Sequence, residues 1–402
     1  MATIKLYDKS AYETSFEGHV LSCKEKIYVD VCAKKEVSED TEKTLYEVVL
    51  DQTLFFPEEG GQSPDKGVLG DAKVVDVQIK ADVITHTLDK PLEVGATVRG
   101  EIDWNHRFSN MQQHSGEHIF SGLVYKKYGF LNVGFHLSNQ IVTMDFNGPL
   151  TAEQIDELEW EVNEAIAKNV NIKTGYPSKE ELAQMEYRSK KEIEGDLRIV
   201  EIEGYDVCAC CAPHVARTGE IGGFKIQTVQ NYKGGVRISY LCGFRALEEA
   251  RKKARIIAEL SGILTTNQEL LAENVNKMKV KQQNLQLQLN QAKQCLMEMK
   301  LEQIPNEQKD VLLFEEDLDT QVMRNVVNKL VEQHEGICGV FVGTEKNGYN
   351  FIIGSKNTDC RQMANALKEK LNARGGGSPA MIQGSVSATE KEIKENIQSL
   401  MS

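Results

Sequence analysis

His114-Ser-Gly-Glu-His118 places two imidazoles four residues apart. On a helix that spacing puts both on one face, where they can hold one metal ion. Far downstream, Cys208-Ala-Cys210-Cys211-Ala-Pro-His214 offers thiols and a third imidazole on a turn that contains proline. A cysteine and a histidine four apart can supply two more ligands. Cys210 gives that spacing to His214, and Cys208 and Cys211 are alternatives. Nitrogen and thiolate sulfur together favour zinc over the hard cations. The same segment also reads as the inverted zinc-peptidase pattern, in which Glu117 would be the general base. That pattern usually takes its third ligand from a downstream acid, whereas the downstream partner here is a Cys/His turn. A thiolate weakens the Lewis acidity of the metal, which suits an activated ester better than a stable amide. Glu117 is a candidate proton acceptor for water or a support behind the ligands; plain solvent exposure is the simpler alternative.

Composition bounds the possibilities. The 402 residues exceed one ordinary domain and suggest two or three. A hydrophobic fraction of 41% suffices for packed cores. No apolar run approaches the length of a membrane helix, and the N-terminus lacks a basic stretch leading into an apolar one, so no secretory signal is expected. Nine cysteines without framework spacing read as reduced thiols in a cytoplasmic protein. The net charge of −13 argues against nonspecific coating of nucleic acid. Local basic patches remain, at Arg188, Lys190 and Lys191 and at Arg251, Lys252, Lys253 and Arg255, each also readable as a solvated helix face.

The elements that must position the ligands follow from periodicity. Residues 1–103 are read as a small β-barrel, with strands over 26–31, 46–50, 73–79 and 83–88 rich in Val, Ile and Tyr. Residues 104–245 are read as a mixed α/β metal-binding domain. It opens with a helix over 107–128 stopped by Gly129, then a strand over 140–146. A capping box at Thr151 and Gln154 starts a second helix, and strands follow over 197–202 and 236–241. Residues 246–305 are read as a helical coiled-coil linker. Thr266 and Glu269 are expected to cap it, and Leu271, Met278, Leu285, Ala292 and Met299 recur at heptad spacing beside Val275, Leu289 and Leu296. Residues 306–402 are read as a C-terminal α/β unit with strands over 311–314, 339–342 and 350–353, helices over 320–335 and 360–372, and Arg374–Pro379 as a loop. The fold class is thus α+β and multidomain.

Taken together, these motifs resemble the editing domains of alanyl-tRNA synthetases and the free-standing alanyl-tRNA editing proteins of the long type. The resemblance runs along nearly the whole chain. Asp51-Gln-Thr53-Leu-Phe-Phe-Pro57-Glu-Glu-Gly60-Gly61-Gln62, followed by Asp65 and Gly67, is similar to the family's glycine-rich segment. Asp103-Trp104 leads into the His pair. Gly134-Phe-His136, Thr143-Met-Asp145, Asp196-Leu-Arg198, His214-Val-Ala-Arg-Thr218-Gly219-Glu220 and Lys233-Gly-Gly-Val-Arg237 follow in the family's order. Arg374-Gly375-Gly376-Gly377 resembles the DHH-associated C-terminal domain of the synthetase. One turn departs from the pattern: the family's usual Cys-Gly-Gly-Thr-His is Cys210-Cys-Ala-Pro-His214 here, a proline version similar to the threonyl-tRNA synthetase editing domain.

The resemblance implies a zinc-dependent hydrolase that removes a wrong amino acid from tRNA, most readily serine or glycine from tRNA-Ala, without charging tRNA itself. It implies zinc at His114, His118, Cys210 and His214. It places Thr53, Gly60, Gly61 and Gln62 beside the aminoacyl end, with Thr53 and Gln62 as catalytic candidates; Glu117, unusual at its position in the family, is a third candidate on its own chemistry. Glycines let a backbone approach a ligand closely, and Thr53 can hydrogen-bond a seryl hydroxyl that alanine lacks. Arg374, Gly375, Gly376 and Gly377 are expected to meet tRNA phosphate or ribose. A homodimer through the helical or C-terminal region is a further expectation. The competing readings are a noncatalytic zinc-containing tRNA-binding module and an inverted-motif zinc peptidase.

Overall fold

The computed structural model describes residues 2–29, 42–139, 141–189 and 197–399. Val31, Gln140, Lys190, Lys191 and Asp196, used in the sequence reading, lie outside the described residues. The chain divides into two units, Met1–Ile257 and Ala258–Ser402.

In the first unit, six strands close into an antiparallel barrel. Round the barrel they run Ser15–Val29, Glu42–Leu50, Val83–Leu88, Ala72–Lys80, Gly67–Leu69 and Thr97–Ile102. Closure removes the exposed edges that short Val- and Ile-rich strands would otherwise present. Inward-facing Val48, Leu50, Leu69, Val77, Ile84 and Leu88 fill it.

Asp103 ends the barrel and begins α1 (Trp104–Tyr128), its carboxylate accepting from the His106 amide at 3.1 Å. Gly129, at φ 70°, ends the helix in the left-handed conformation that glycine accepts without strain. The helix is buried from Asn110 to Val124 without interruption. It packs against α2 (Ala152–Lys168), an antiparallel four-stranded sheet and a three-stranded sheet. The four-stranded sheet runs Phe224–Tyr232, Gly235–Cys242, Val142–Phe146, Asn132–Leu137. The three-stranded sheet runs Ile172–Gly175, Ile199–Ile202, Asp206–Ala209. The Thr151–Gln154 capping box forms at the start of α2. A short α3 (Lys179–Gln184) follows.

One ion pair joins barrel and helix. Arg107, wholly buried on α1, directs Nε and Nη2 at the Asp65 carboxylate of the barrel and donates to the Leu54 carbonyl at 2.5 Å and the Ala11 carbonyl at 3.1 Å. The Phe56 amide donates to Asp65 as well, at 2.7 Å. Each charge is compensated and each polar group is bonded, as burial requires.

Two long helices lie in the expected linker, α4 (Gly243–Leu264) and α5 (Leu271–Glu302). The heptad stripe on α5 is exposed, with Val275 at 52%, Leu285 at 54% and Leu296 at 60%. The expected capping box at Thr266 does not form. A single 3₁₀ turn over Gln268–Leu270 intervenes, and the Thr266 hydroxyl accepts from the Asn274 side chain at 2.5 Å instead.

The second unit carries a five-stranded sheet in the order Val311–Glu315, Cys338–Thr344, Gly348–Gly354, Met381–Val386, Arg374–Gly377. Core residues of α5 and α6 (Thr320–Gln333) cover one cluster. Those of α7 (Cys360–Leu371) and α8 (Glu390–Gln398) cover the other. Arg374–Gly377 is thus an exposed edge strand, where the sequence reading had a loop. Side chains are missing at Gly375 and Gly377 because a Cβ there would meet the neighbouring strand's backbone at 2.2 and 2.3 Å. That packing reason is invisible in a run of glycines. Among the described residues no helix is long and apolar enough to cross a membrane.

Candidate metal centre

His114 and His118 project from successive turns of α1, and Cys210 and His214 flank the turn that leaves the strand Asp206–Ala209. The structure brings all four together: one ligand atom from each lies within 4.8 Å of the others. Cys210 Sγ stands 3.6 Å from His114 Nε2 and 3.4 Å from His214 Nε2. Ligands at about 2.05 and 2.3 Å from a tetrahedral zinc stand roughly 3.6 Å apart, so the donor set and its spacing fit such an ion. The turn is clamped by Arg198, whose Nη1 donates to the Cys210 and Ala212 carbonyls, both at 2.9 Å, while its own carbonyl accepts from the Cys210 amide.

Each imidazole is aimed by its far nitrogen. Nδ1 of His114 meets Gln62 Oε1 at 2.8 Å, Nδ1 of His118 meets Asp206 Oδ2 at 2.9 Å, and Nδ1 of His214 meets Ser115 Oγ at 3.0 Å. With every Nδ1 engaged, Nε2 is the nitrogen left for a metal. Cys208 groups with His118 and Asp206 behind the ring, away from the four-residue set. Cys211 lies beside the Gly60 turn, its sulfur 3.9 Å from where a Gly60 Cβ would stand.

Electrostatics suit a cation. Burial pushes the Cys210 thiol upward, but the His114 charge and bonds from His114, His118 and His214 outweigh it and hold the thiol well below its usual range. Burial lowers His214 to about 3, leaving it neutral. At His118 burial opposes the charged form, yet the bonds to Asp206 and Cys210 prevail and lift it to about 10, so metal binding there displaces a proton.

The glycine-rich segment borders the cluster. Gly60 and Gly61 form a turn at φ 63° and 86°, closed by mutual bonds between the Glu59 and Gln62 backbones. The turn docks on the strand Asn132–Leu137: the Leu137 amide donates to the Gly61 carbonyl at 2.7 Å and the Ser63 amide to the Leu137 carbonyl at 2.9 Å. Gln62 is fully buried, and its Nε2 has no protein acceptor although its Oε1 accepts from His114. That buried donor marks a position for a ligand oxygen.

Two catalytic candidates are withdrawn from solvent. Glu117 is buried at 1%, not solvent-exposed. Its Oε1 accepts from Ser121 Oγ at 2.6 Å and Asn132 Nδ2 at 2.5 Å, and its Oε2 lies 3.9 Å from His118 Nε2. Thr53 is also fully buried. Its hydroxyl donates to His86 Nε2 at 2.9 Å and accepts from the Phe55 amide at 3.0 Å, since His86 Nδ1 faces the Val48 carbonyl and must carry the ring proton. Arg374 and Gly375–Gly377 belong to the second unit. Asp206, Ser115 and His86 have no role in the sequence analysis, and Arg198 enters there only within a motif; Asp206 and Ser115 are isolated in sequence from the rings they aim.

The chain is similar to known proteins over these same segments. A family described as threonyl and alanyl tRNA synthetase second additional domain matches residues 197–239, and one described as tRNA synthetases class II (A) matches residues 2–106. The alanine–tRNA ligase of Ignicoccus hospitalis is 36% identical over 251 residues, 59% of this chain and 28% of that enzyme. The chain therefore spans little more than a quarter of the ligase. The alanyl-tRNA editing protein Aarsd1 of Danio rerio is 27% identical over 395 residues, 96% of this chain and 94% of that protein. Its Mus musculus counterpart is 27% identical over 408 residues, 98% and 97% of the two chains. The C-Ala domain of Aquifex aeolicus alanyl-tRNA synthetase is 21% identical at a TM-score of 0.20, covering 23% of this chain and 87% of that domain.

Proposed function

From a chain that resembles the alanyl-tRNA editing proteins over nearly its whole length, we propose a free-standing hydrolase that deacylates mischarged tRNA-Ala, Ser-tRNA-Ala foremost and Gly-tRNA-Ala next. The observation that carries this reading is the four-residue cluster beside a glycine turn that holds one buried, unanswered amide donor. Donor types and spacing favour zinc. Held by His114, His118, Cys210 and His214, zinc would polarise the ester carbonyl or lower the pKa of a bound water.

The remaining steps belong to the chain's own groups. Gln62 keeps His114 oriented through Oε1 and offers its Nε2 hydrogens to the ester oxygen as charge builds there. Gly60 and Gly61 let the terminal ribose approach without a side chain in the way. Glu117 is a buried carboxylate on the His118 side that can take up the proton of the attacking water. The Thr53 hydroxyl, its proton committed to His86, retains one lone pair for a substrate hydroxyl.

Residues 306–402 are read as the DHH-associated tRNA-binding domain, with Arg374–Gly377 toward phosphate or ribose. The α5 stripe suits pairing with a second copy. The described cysteines are all free, in keeping with the cytoplasm.

The test is hydrolysis of Ser-, Gly- and Ala-charged tRNA-Ala, with and without chelator. Ser-tRNA-Ala should turn over, and chelation or His114→Ala should lower the rate at least about a hundredfold. Binding without turnover would favour a noncatalytic module, peptide cleavage would favour the peptidase, and normal turnover by His114→Ala would remove the site assignment.

A further inference from the structure

We propose that Arg188 is a positioning residue of the metal centre: by gripping both oxygens of Asp206 it holds that carboxylate against His118 and fixes the ring with Nε2 toward the Cys210 sulfur. The inference rests on the metal-centre reading above and adds the residue that supports one side of it.

By sequence Arg188 looks like part of a basic surface patch. In the fold it is withdrawn from solvent, its side chain 8% exposed. Its Nε donates to Asp206 Oδ1 at 2.7 Å and its Nη2 to Asp206 Oδ2 at 2.8 Å. This parallel two-bond grip is the geometry that a guanidinium offers and an ammonium cannot. Asp206 Oδ2 is shared with His118 Nδ1 at 2.9 Å, so arginine, carboxylate and imidazole form one line ending at the ligand nitrogen.

The backbone is built to hold that line. The Arg188 amide donates to the Val207 carbonyl at 2.8 Å, and the Arg188 carbonyl accepts from the Ala209 amide at 2.9 Å. Arg188 thus lies alongside the strand that carries Asp206 and leads into Cys210. On the opposite side, Gly122 sits one turn beyond His118 on α1. A Cβ there would come within 2.3 Å of the Tyr205 carbonyl and 2.8 Å of Asp206 Cβ. The missing side chain is what lets Asp206 approach the helix.

The other two rings are backed by neutral groups, Gln62 and Ser115. His118 alone is backed by a carboxylate, and a buried carboxylate that lost its cation would be left undercompensated. Removing the arginine should therefore loosen Asp206 and let the ring turn, without touching a ligand atom.

The test uses the full chain with zinc alone, then with cobalt in its place. The variants are Arg188→Met, Arg188→Lys, Asp206→Asn and the Arg188→Met/Asp206→Asn pair. Affinity is read by competition with a chromogenic chelator, and ligand geometry by the visible cobalt absorption. Arg188→Met and Asp206→Asn should each weaken zinc binding by about 10–100-fold, and the double variant should lose no more than the worse single one. Arg188→Lys, which keeps the charge and loses the grip, should fall between and shift the cobalt band; it decides the matter if the methionine variant does not fold. Wild-type zinc affinity and an unchanged cobalt band in Arg188→Lys and Arg188→Met would overturn the proposal while leaving the metal centre intact. So would a fall in the salt dependence of tRNA binding with metal affinity unchanged, which would return Arg188 to RNA contact. A wild-type chain that binds no zinc would remove both readings.

Discussion

Gly61 shows how much of the site depends on single atoms. At φ 86°, a Cβ would stand 2.1 Å from the Phe135 carbonyl, in the backbone of the strand on which the glycine turn docks. Gly61→Ala should cost at least about 2 kcal/mol of stability and disturb Gln62 beside it. The checks are urea denaturation together with deacylation; full activity at wild-type stability would show that the turn does not seat the site. Residue types and spacing made the cluster legible here: two His one helical turn apart and a Cys and His about a short loop. Which thiol faces the rings was not legible, because Cys208, Cys210 and Cys211 differ only in the direction the strand's last residues turn. Nor was Asp206, distant in sequence from the imidazole it supports. Glu117 looked exposed because a charged residue usually is; Ser121 and Asn132, which make its burial tolerable, come from elsewhere on the helix and from a strand.

Among elements, the barrel strand Ala72–Lys80 was the plainest to read, since it alternates buried and exposed over most of its length, whereas Gly67–Leu69, Thr97–Ile102 and the first part of Ser15–Val29 went unread. α1 was harder. Its buried face is the whole surface from Asn110 to Val124, and buried glutamines, serines and histidines blur any apolar stripe. Gln113 explains how they survive there: it exchanges two bonds with the Cys242 backbone, at 2.7 and 3.0 Å. The barrel holds a titratable element of its own in His86. Burial lowers this imidazole to about 4, so the folded state resists a proton that the unfolded chain accepts near 6.5. The native pKa being the lower one, this contribution is whole above the unfolded value. It declines as pH falls from about 6.5 to about 4, by on the order of 3 kcal/mol. Chemical denaturation at pH 7.5 and 4.5 should show the wild type losing more stability across that interval than His86→Gln. Equal losses would mean that His86 is protonated in the fold.

At the level of the molecule, the multidomain α+β organisation was legible from changes of texture along the sequence, from short strands to buried helix to glycine-poor helices. The last strand was not, because Arg374-Gly-Gly-Gly has turn-like composition and becomes a strand only through pairing with Met381–Val386. The His/Cys cluster, the glycine turn and their supports all lie within Met1–Ile257, and Arg374–Gly377 lies in Ala258–Ser402. Deleting residues 306–402 should therefore weaken tRNA binding while leaving zinc content unchanged. Filter binding and metal analysis of the shortened chain check this; unaltered tRNA affinity would assign the second unit to dimerisation instead.

The Arg107–Asp65 pair sets a rule for how such a chain can be recombined. The two charges come from opposite sides of the junction between barrel and helix, and either one imported without the other would be stranded in the interior. A hybrid that joins this barrel to a foreign sequence at residue 103 must carry an arginine at the matching helical position, together with carbonyls for its remaining hydrogens. Lineages that shuffled these halves would have had to pass on the two residues as a set.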